Sequence, residues 1–130
     1  MTLTRCMIVE DQALIGMSLE AFLEDAGFRV EGPFMSNAQA MSWLKTETPD
    51  VALLDVMLKD GTSVEIARAL KSRGIPFVIY SGLPAASHGP SELQGVIWLE
   101  KPVSRETLAA ALDEVLSQRQ LPAMPDGLDR

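Results

Sequence analysis

At 130 residues, with 47% hydrophobic and 22% charged content, the chain has the size and composition of one soluble globular domain. No apolar run approaches the roughly 20 residues that span a bilayer, and a formal charge of −7 without a Lys/Arg cluster argues against direct nucleic-acid binding. Cys6 is the only cysteine, which excludes an internal disulfide and a thiolate metal cluster within one chain.

The N-terminus reaches the acidic Glu10-Asp11 too early for a signal peptide's apolar stretch, so a cytoplasmic location is expected. A first buried strand is read at Cys6-Met7-Ile8-Val9, with Cys6 as a small buried hydrophobe. Leu14, Met17 and Ala21 then carry helical spacing, and Gly27 stands where that helix should end. A weaker strand lies near Phe28-Arg29-Val30-Glu31. Ser36-x-x-Gln39 has the form of a capping box opening a second helix, in which Trp43 beside Met41 and Leu44 covers the sheet.

Pro49 leads into a third strand, Val51-Ala52-Leu53-Leu54, and Thr62-x-x-Glu65 reads as a second capping box before a helix with Ile66, Ala69 and Leu70 on its apolar face. Gly74 ends that helix, and Pro76 introduces the strand Phe77-Val78-Ile79-Tyr80. From Leu83 to Gly95 the prolines and glycines break up the fourth helix, leaving a short candidate at Ser91-Glu92-Leu93-Gln94. His88, the only histidine, falls in this loop and has no second histidine for a metal site. A fifth strand, Val96-Ile97-Trp98-Leu99, precedes a helix opened by Ser104 and carrying Leu108, Ala111, Leu112 and Val115. Residues 1–120 read as one domain, and residues 121–130, with Pro122, Pro125 and Gly127, as a flexible tail.

Alternating strands and helices with nearly continuous apolar strands imply a doubly wound five-stranded parallel α/β sheet with helices on both faces. Ligands of such sheets sit beyond the carboxyl ends of the strands. There the first strand ends in Glu10-Asp11, the third in Asp55, the fourth in Ser81, and the fifth is followed by Lys101-Pro102. Three gathered carboxylates repel by about 1 kcal/mol per pair at 4 Å even in water. Lys101 offsets one charge, and a hard divalent ion, Mg²⁺, is the natural candidate for the rest. With that ion beside it, Asp55 has the setting of a carboxylate nucleophile toward a phosphoryl group, with the Ser81 hydroxyl near its oxygens.

In this order and on these strand ends, Glu10-Asp11, Asp55, Ser81 and Lys101-Pro102 resemble the response regulator receiver family of two-component signalling, in its single-domain form. The resemblance covers about residues 5–119. It implies a flavodoxin-like sheet of order 2-1-3-4-5, Mg²⁺ held by Glu10, Asp11, Asp55 and the backbone carbonyl of Met57, and phosphorylation of Asp55 by a histidine kinase or histidine phosphotransfer protein. It also implies that Lys101 pairs with Asp55 or its phosphate, that the Lys101-Pro102 bond is cis, and that Ser81 and Trp98 form the switch that reports phosphorylation to a protein partner.

Trp98 stands where similar proteins more often carry Tyr, and Gly82 where Ala is usual. The run Pro76 to Gly82 is similar to the fourth-strand motif of alphaproteobacterial stand-alone receivers. A phosphohydrolase of the haloacid-dehalogenase type would also use a strand-terminal Asp, but it needs an acid two residues on, where this chain has Met57. No phosphate-binding glycine loop is present for a nucleotide site. An interaction-only pseudo-receiver would have no need of the complete set of chemical residues found here.

Overall fold

A computed structural model describes residues 3–85 and 90–120, with the side chains of residues 119 and 120 outside the description. His88 and the tail at 121–130 therefore lie outside the described residues. The elements are β1 (Arg5–Val9), α1 (Ala13–Asp25), β2 (Arg29–Phe34), α2 (Asn37–Leu44), β3 (Val51–Leu54), β4 (Met57–Leu58), β5 (Gly61–Thr62), α3 (Val64–Ser72), β6 (Phe77–Ser81), β7 (Ile97–Glu100) and α4 (Arg105–Gln120). Among the described residues between β6 and β7, the expected short element is a 3₁₀ turn at Ser91–Leu93, in keeping with the prolines and glycines around it.

Five strands form one parallel sheet in the order β2-β1-β3-β6-β7, which is 2-1-3-4-5 when the small β4–β5 hairpin is left out. Side chains alternate along each central strand and so divide the core in two. Met7, Val9, Ala52, Leu54, Phe77 and Ile79 face α2 and α3, where Ala40, Leu44, Ile66, Ala67 and Leu70 complete one cluster. Cys6, Ile8, Val51, Leu53 and Val78 face α1 and α4, meeting Leu19, Leu23, Leu108, Ala111, Leu112 and Val115. Burial pushes the Cys6 thiol up to about 12, in keeping with a core hydrophobe. No helix among the described residues is long and apolar enough to cross a membrane.

Helix ends follow the local chemistry with two departures. Gly27 (φ 97°) and Gly74 (φ 69°) adopt the left-handed conformation that closes α1 and α3, and the next amides, Phe28 and Ile75, reach back to the carbonyls of Leu23 and Leu70. Ser36 Oγ accepts from the Gln39 amide at 3.1 Å, and Ser104 Oγ accepts from the Thr107 amide at 3.1 Å. The Gln39 side chain, however, closes its half of the Ser36 box on the Met35 amide at 2.8 Å. The expected Thr62 box does not form: Thr62 ends β5, and α3 begins after Ser63, whose hydroxyl is spent elsewhere.

The face of α1 is also corrected. Leu14 and Met17 are 82% and 62% exposed, Ala21 is exposed as well, and the helix buries Gly16, Leu19 and Leu23 instead. With apolar residues in several registers, the position is decided by a close approach: a Cβ on Gly16 would stand only 3.0 Å from Pro33 Cγ of β2. The helix therefore rolls Gly16 inward and turns Leu14 and Met17 to solvent.

Candidate functional site

The carboxyl ends of β1 and β3 place Glu10, Asp11 and Asp55 side by side. One carboxylate oxygen from each lies within 4.8 Å of the others. Glu10 is 2% and Asp55 7% exposed, while Asp11 is half-buried at the rim. Backbone pairing sets this proximity, because Ile8 and Val9 stand beside Leu53 and Leu54, and the Asp55 amide donates to the Val9 carbonyl at 3.0 Å.

Lys101 enters from the far side of the sheet. Its amide donates to the Ser81 carbonyl at 2.8 Å, continuing the β6–β7 ladder, and its ammonium reaches Glu10 Oε1 at 2.7 Å and Asp55 Oδ2 at 3.2 Å. The Tyr80 ring lies 5.5 Å from the same ammonium and flanks it. The Lys101-Pro102 peptide is cis, as the resemblance implied. Burial pulls the Lys101 ammonium down, but the hydrogen bond to Glu10 and the charge of Asp55 outweigh it, leaving the group above its ordinary value. Burial drives the Glu10 carboxyl up, against the lowering effects of Lys101 and the Gln12 amide.

The carboxylate of Asp55 is gripped at both oxygens: Oδ1 accepts from the Val56 amide at 2.8 Å and Oδ2 accepts from Lys101. Glu10 Oε2 likewise accepts from the Gln12 amide at 3.1 Å. Each oxygen retains a lone pair, so these bonds orient the acids without exhausting them. Among the described residues, three carboxylates against a single ammonium leave uncompensated negative charge, and an all-oxygen donor set at this spacing fits a hard divalent ion that keeps some of its waters, as Mg²⁺ does.

Ser81 is the last residue of β6 and is buried; its hydroxyl accepts from the Leu83 amide at 3.2 Å. Met57 opens the hairpin that follows Asp55, with its side chain half exposed. Trp98 lies in β7 away from the carboxylates, packed against the α2–α3 side of the core, and its indole Nε1 donates to the Leu83 carbonyl at 2.8 Å.

One buried polar residue escaped the sequence reading. Four buried polar or charged residues are found among the described ones, Glu10, Asp55, Ser63 and Ser81, and three of these are the strand-end residues. The fourth, Ser63, donates from Oγ to the carbonyl oxygen of Asp55 at 2.6 Å. Its only signal in sequence is a second hydroxyl beside Thr62, the residue that has the form of the cap.

A family model described as the response regulator receiver domain matches residues 6–113, and the chain belongs to that family. The phyllosphere-induced regulator PhyR of Methylorubrum extorquens is 26% identical over 120 residues, covering 90% of this chain and 45% of PhyR. The transcriptional regulatory protein PdtaR of Mycobacterium tuberculosis is 25% identical over 124 residues, covering 92% of this chain and 60% of PdtaR. The chain thus spans about half the length of these curated relatives. Among solved structures, a CheY-like receiver domain protein from Methanospirillum hungatei superposes with a TM-score of 0.80 at 26% identity, over 92% of this chain and 98% of that one.

Proposed function

We propose that the receiver, residues 1–120, accepts a phosphoryl group on Asp55 from a histidine kinase or histidine phosphotransfer protein and signals by a conformational change read by another protein. The observation that carries this reading is the convergence of Glu10, Asp11, Asp55 and Lys101 on one sheet edge, with Asp55 oriented by the Val56 amide and by Lys101. An Asp55 carboxylate oxygen attacks phosphorus while the bond from phosphorus to the donor's imidazole nitrogen breaks, the electron pair leaving with that nitrogen. Glu10, Asp11 and Asp55, with the Met57 carbonyl, would hold Mg²⁺, which when bound offsets charge on the transferring oxygens.

Within the chain, Lys101 neutralises charge beside Asp55 and Ser81 offers its hydroxyl to a phosphoryl oxygen, giving up its bond from the Leu83 amide. Trp98 is the second half of the switch, linked to Ser81 through Leu83. The domain signals and turns over no substrate beyond making and breaking its own acyl phosphate. We assign it to the cytoplasm, where kinases of this type present their phosphohistidine, and its net charge of −7 favours a protein over nucleic acid as the receiver of the signal.

Incubation with a small acyl-phosphate donor and Mg²⁺, followed by intact mass, tests the reading. One phosphoryl group is expected on the wild type and none on Asp55→Asn, and a wild type that takes up no phosphate overturns it.

A further inference from the structure

We propose that Ser63 is a positioning residue for Asp55, setting the orientation of its carboxylate through the intervening peptide. The consequence for phosphorylation rests on the proposed receiver function; the hydrogen-bond geometry around Asp55 does not.

Ser63 is fully buried, with no exposed surface. A hydroxyl taken out of water without a partner costs a few kcal/mol, so its partner shows what it is for. That partner is not the helix it precedes: Ser63 lies at the N-cap position of α3 and makes no side-chain cap. It donates instead to the carbonyl oxygen of Asp55, eight residues back, at 2.6 Å, while its own amide donates to the Val56 carbonyl at 2.8 Å.

The carbonyl of Asp55 and the amide of Val56 belong to one planar peptide, pointing in opposite directions across it. The Val56 amide donates to Asp55 Oδ1 at 2.8 Å. Ser63 therefore grips one end of a rigid plate whose other end holds the carboxylate. A hydrogen bond accepted by a peptide oxygen polarises the group and strengthens its N–H as a donor, so the two bonds reinforce each other. With the plate fixed, Oδ1 stays on the amide and Oδ2 stays toward Lys101, at 3.2 Å. Loss of the hydroxyl frees the plate to tilt and lets the carboxylate turn about its own axis.

Asp60 braces the same loop from outside. Its carboxylate accepts from the amides of Asn37 and Ala38 at 2.8 and 3.1 Å, and Asn37 Nδ2 donates to the Thr62 carbonyl at 2.9 Å. The hairpin is thereby held to α2 without Ser63. This separates the role of the hydroxyl, which acts on the Asp55 peptide, from the job of keeping the loop in place.

The test compares wild type, Ser63→Ala, Ser63→Thr, which keeps the hydroxyl, and Ser72→Ala as a control that removes an exposed hydroxyl bonded to the Ala69 carbonyl. Two quantities are read: the amide proton shift of Val56, and the rate of phosphorylation from a small acyl-phosphate donor at saturating Mg²⁺. In Ser63→Ala the Val56 amide is expected to move upfield as its hydrogen bond weakens, and phosphorylation to slow by about tenfold through misorientation of the nucleophile. Ser63→Thr recovers both, and the control changes neither. An unmoved Val56 amide in folded Ser63→Ala overturns the proposal, as does a rate within about twofold of wild type. If Ser63→Ala does not fold, Ser63→Cys, nearly the same size but a weak donor, takes its place, with the same outcomes deciding. A wild type that accepts no phosphate refutes the receiver chemistry alone, and the Val56 amide still decides the positioning.

Discussion

Trp98 and Ser81, on neighbouring strands, hold opposite ends of the same residue. The Leu83 amide donates to Ser81 Oγ at 3.2 Å, and the Leu83 carbonyl accepts from the Trp98 indole at 2.8 Å. The loop after β6 is thus tied at both ends of one residue, and a change at either tie reaches the other. Trp98→Phe keeps an aromatic ring but removes the indole N–H, so a loss of about 1 kcal/mol in unfolding free energy is expected, with faster amide exchange at Leu83. Urea unfolding and hydrogen exchange check both; unchanged exchange at Leu83 would mean that the indole bond holds nothing.

On the proposed function, phosphorylation would draw Ser81 from Leu83 toward the phosphoryl oxygens, cutting one tie and loosening the other. The polar contacts that oppose this are exposed, an Arg68–Glu92 pair at 2.9 Å and the Lys71 ammonium donating to the Gln94 carbonyl at 3.0 Å, while buried Leu93 anchors the Ser91–Leu93 turn in the core. A phosphate analogue should change hydrogen exchange most in residues 83–85 and 90–101 and little in α2. The largest change appearing in α1 and α2 would remove Trp98 from the switch.

Among the described residues, Lys101 is the one ammonium paired with both Glu10 and Asp55. Its replacement by Ala leaves two buried carboxylates facing each other, and without added metal the protein should lose on the order of 2 kcal/mol, less than for a fully buried pair because Lys101 keeps some contact with water. Added Mg²⁺ should restore much of the loss. Phosphorylated Lys101→Ala should also show smaller exchange changes around Leu83 than phosphorylated wild type. Equal stability of mutant and wild type in the absence of metal would contradict the electrostatic account of the site.

Asp11 is the rim carboxylate of the three and takes part in neither Lys101 bond. Asp11→Ala should therefore leave the fold intact while weakening Mg²⁺ binding by about tenfold or more, measured by calorimetric titration. An unchanged affinity would remove Asp11 from the ligand set.

The Cys6 thiol, raised to about 12 from an ordinary 9.0 by burial, should resist alkylation in the native state at mildly alkaline pH and react fully once the chain is unfolded. Between those two values the unfolded chain sheds a proton that the folded chain keeps. Its contribution to stability is thus intact below about 9 and is lost as the pH climbs toward 12. Rapid native alkylation would place Cys6 nearer the surface than the sheet allows.

Much of this arrangement was legible in the residues because strands in a parallel sheet are short, apolar and end in polar residues at one edge. Val51 to Leu54 followed by Asp55, and Phe77 to Tyr80 followed by Ser81, announce both the strand and where it stops. The α1 face was not legible, since Leu14, Ile15, Met17, Leu19, Phe22 and Leu23 offer more than one apolar stripe and the choice lies in contact with Pro33, distant in sequence. Nor was Ser63: Thr62 and Ser63 are equally able caps, and only the bond to the Asp55 carbonyl, made when β3 and α3 come together, distinguishes them. Propensity speaks for neighbours along the chain, and both misses were decided by partners across it.

The most direct test of the central claim is to locate the acyl phosphate. After reaction with a small phosphodonor and Mg²⁺, borohydride reduces an aspartyl phosphate to homoserine, and peptide mass spectrometry identifies the residue converted. Conversion at Asp55 alone, dependent on Mg²⁺ and diminished in Asp11→Ala, is the predicted result; conversion at Asp11 or at no aspartate would contradict the account.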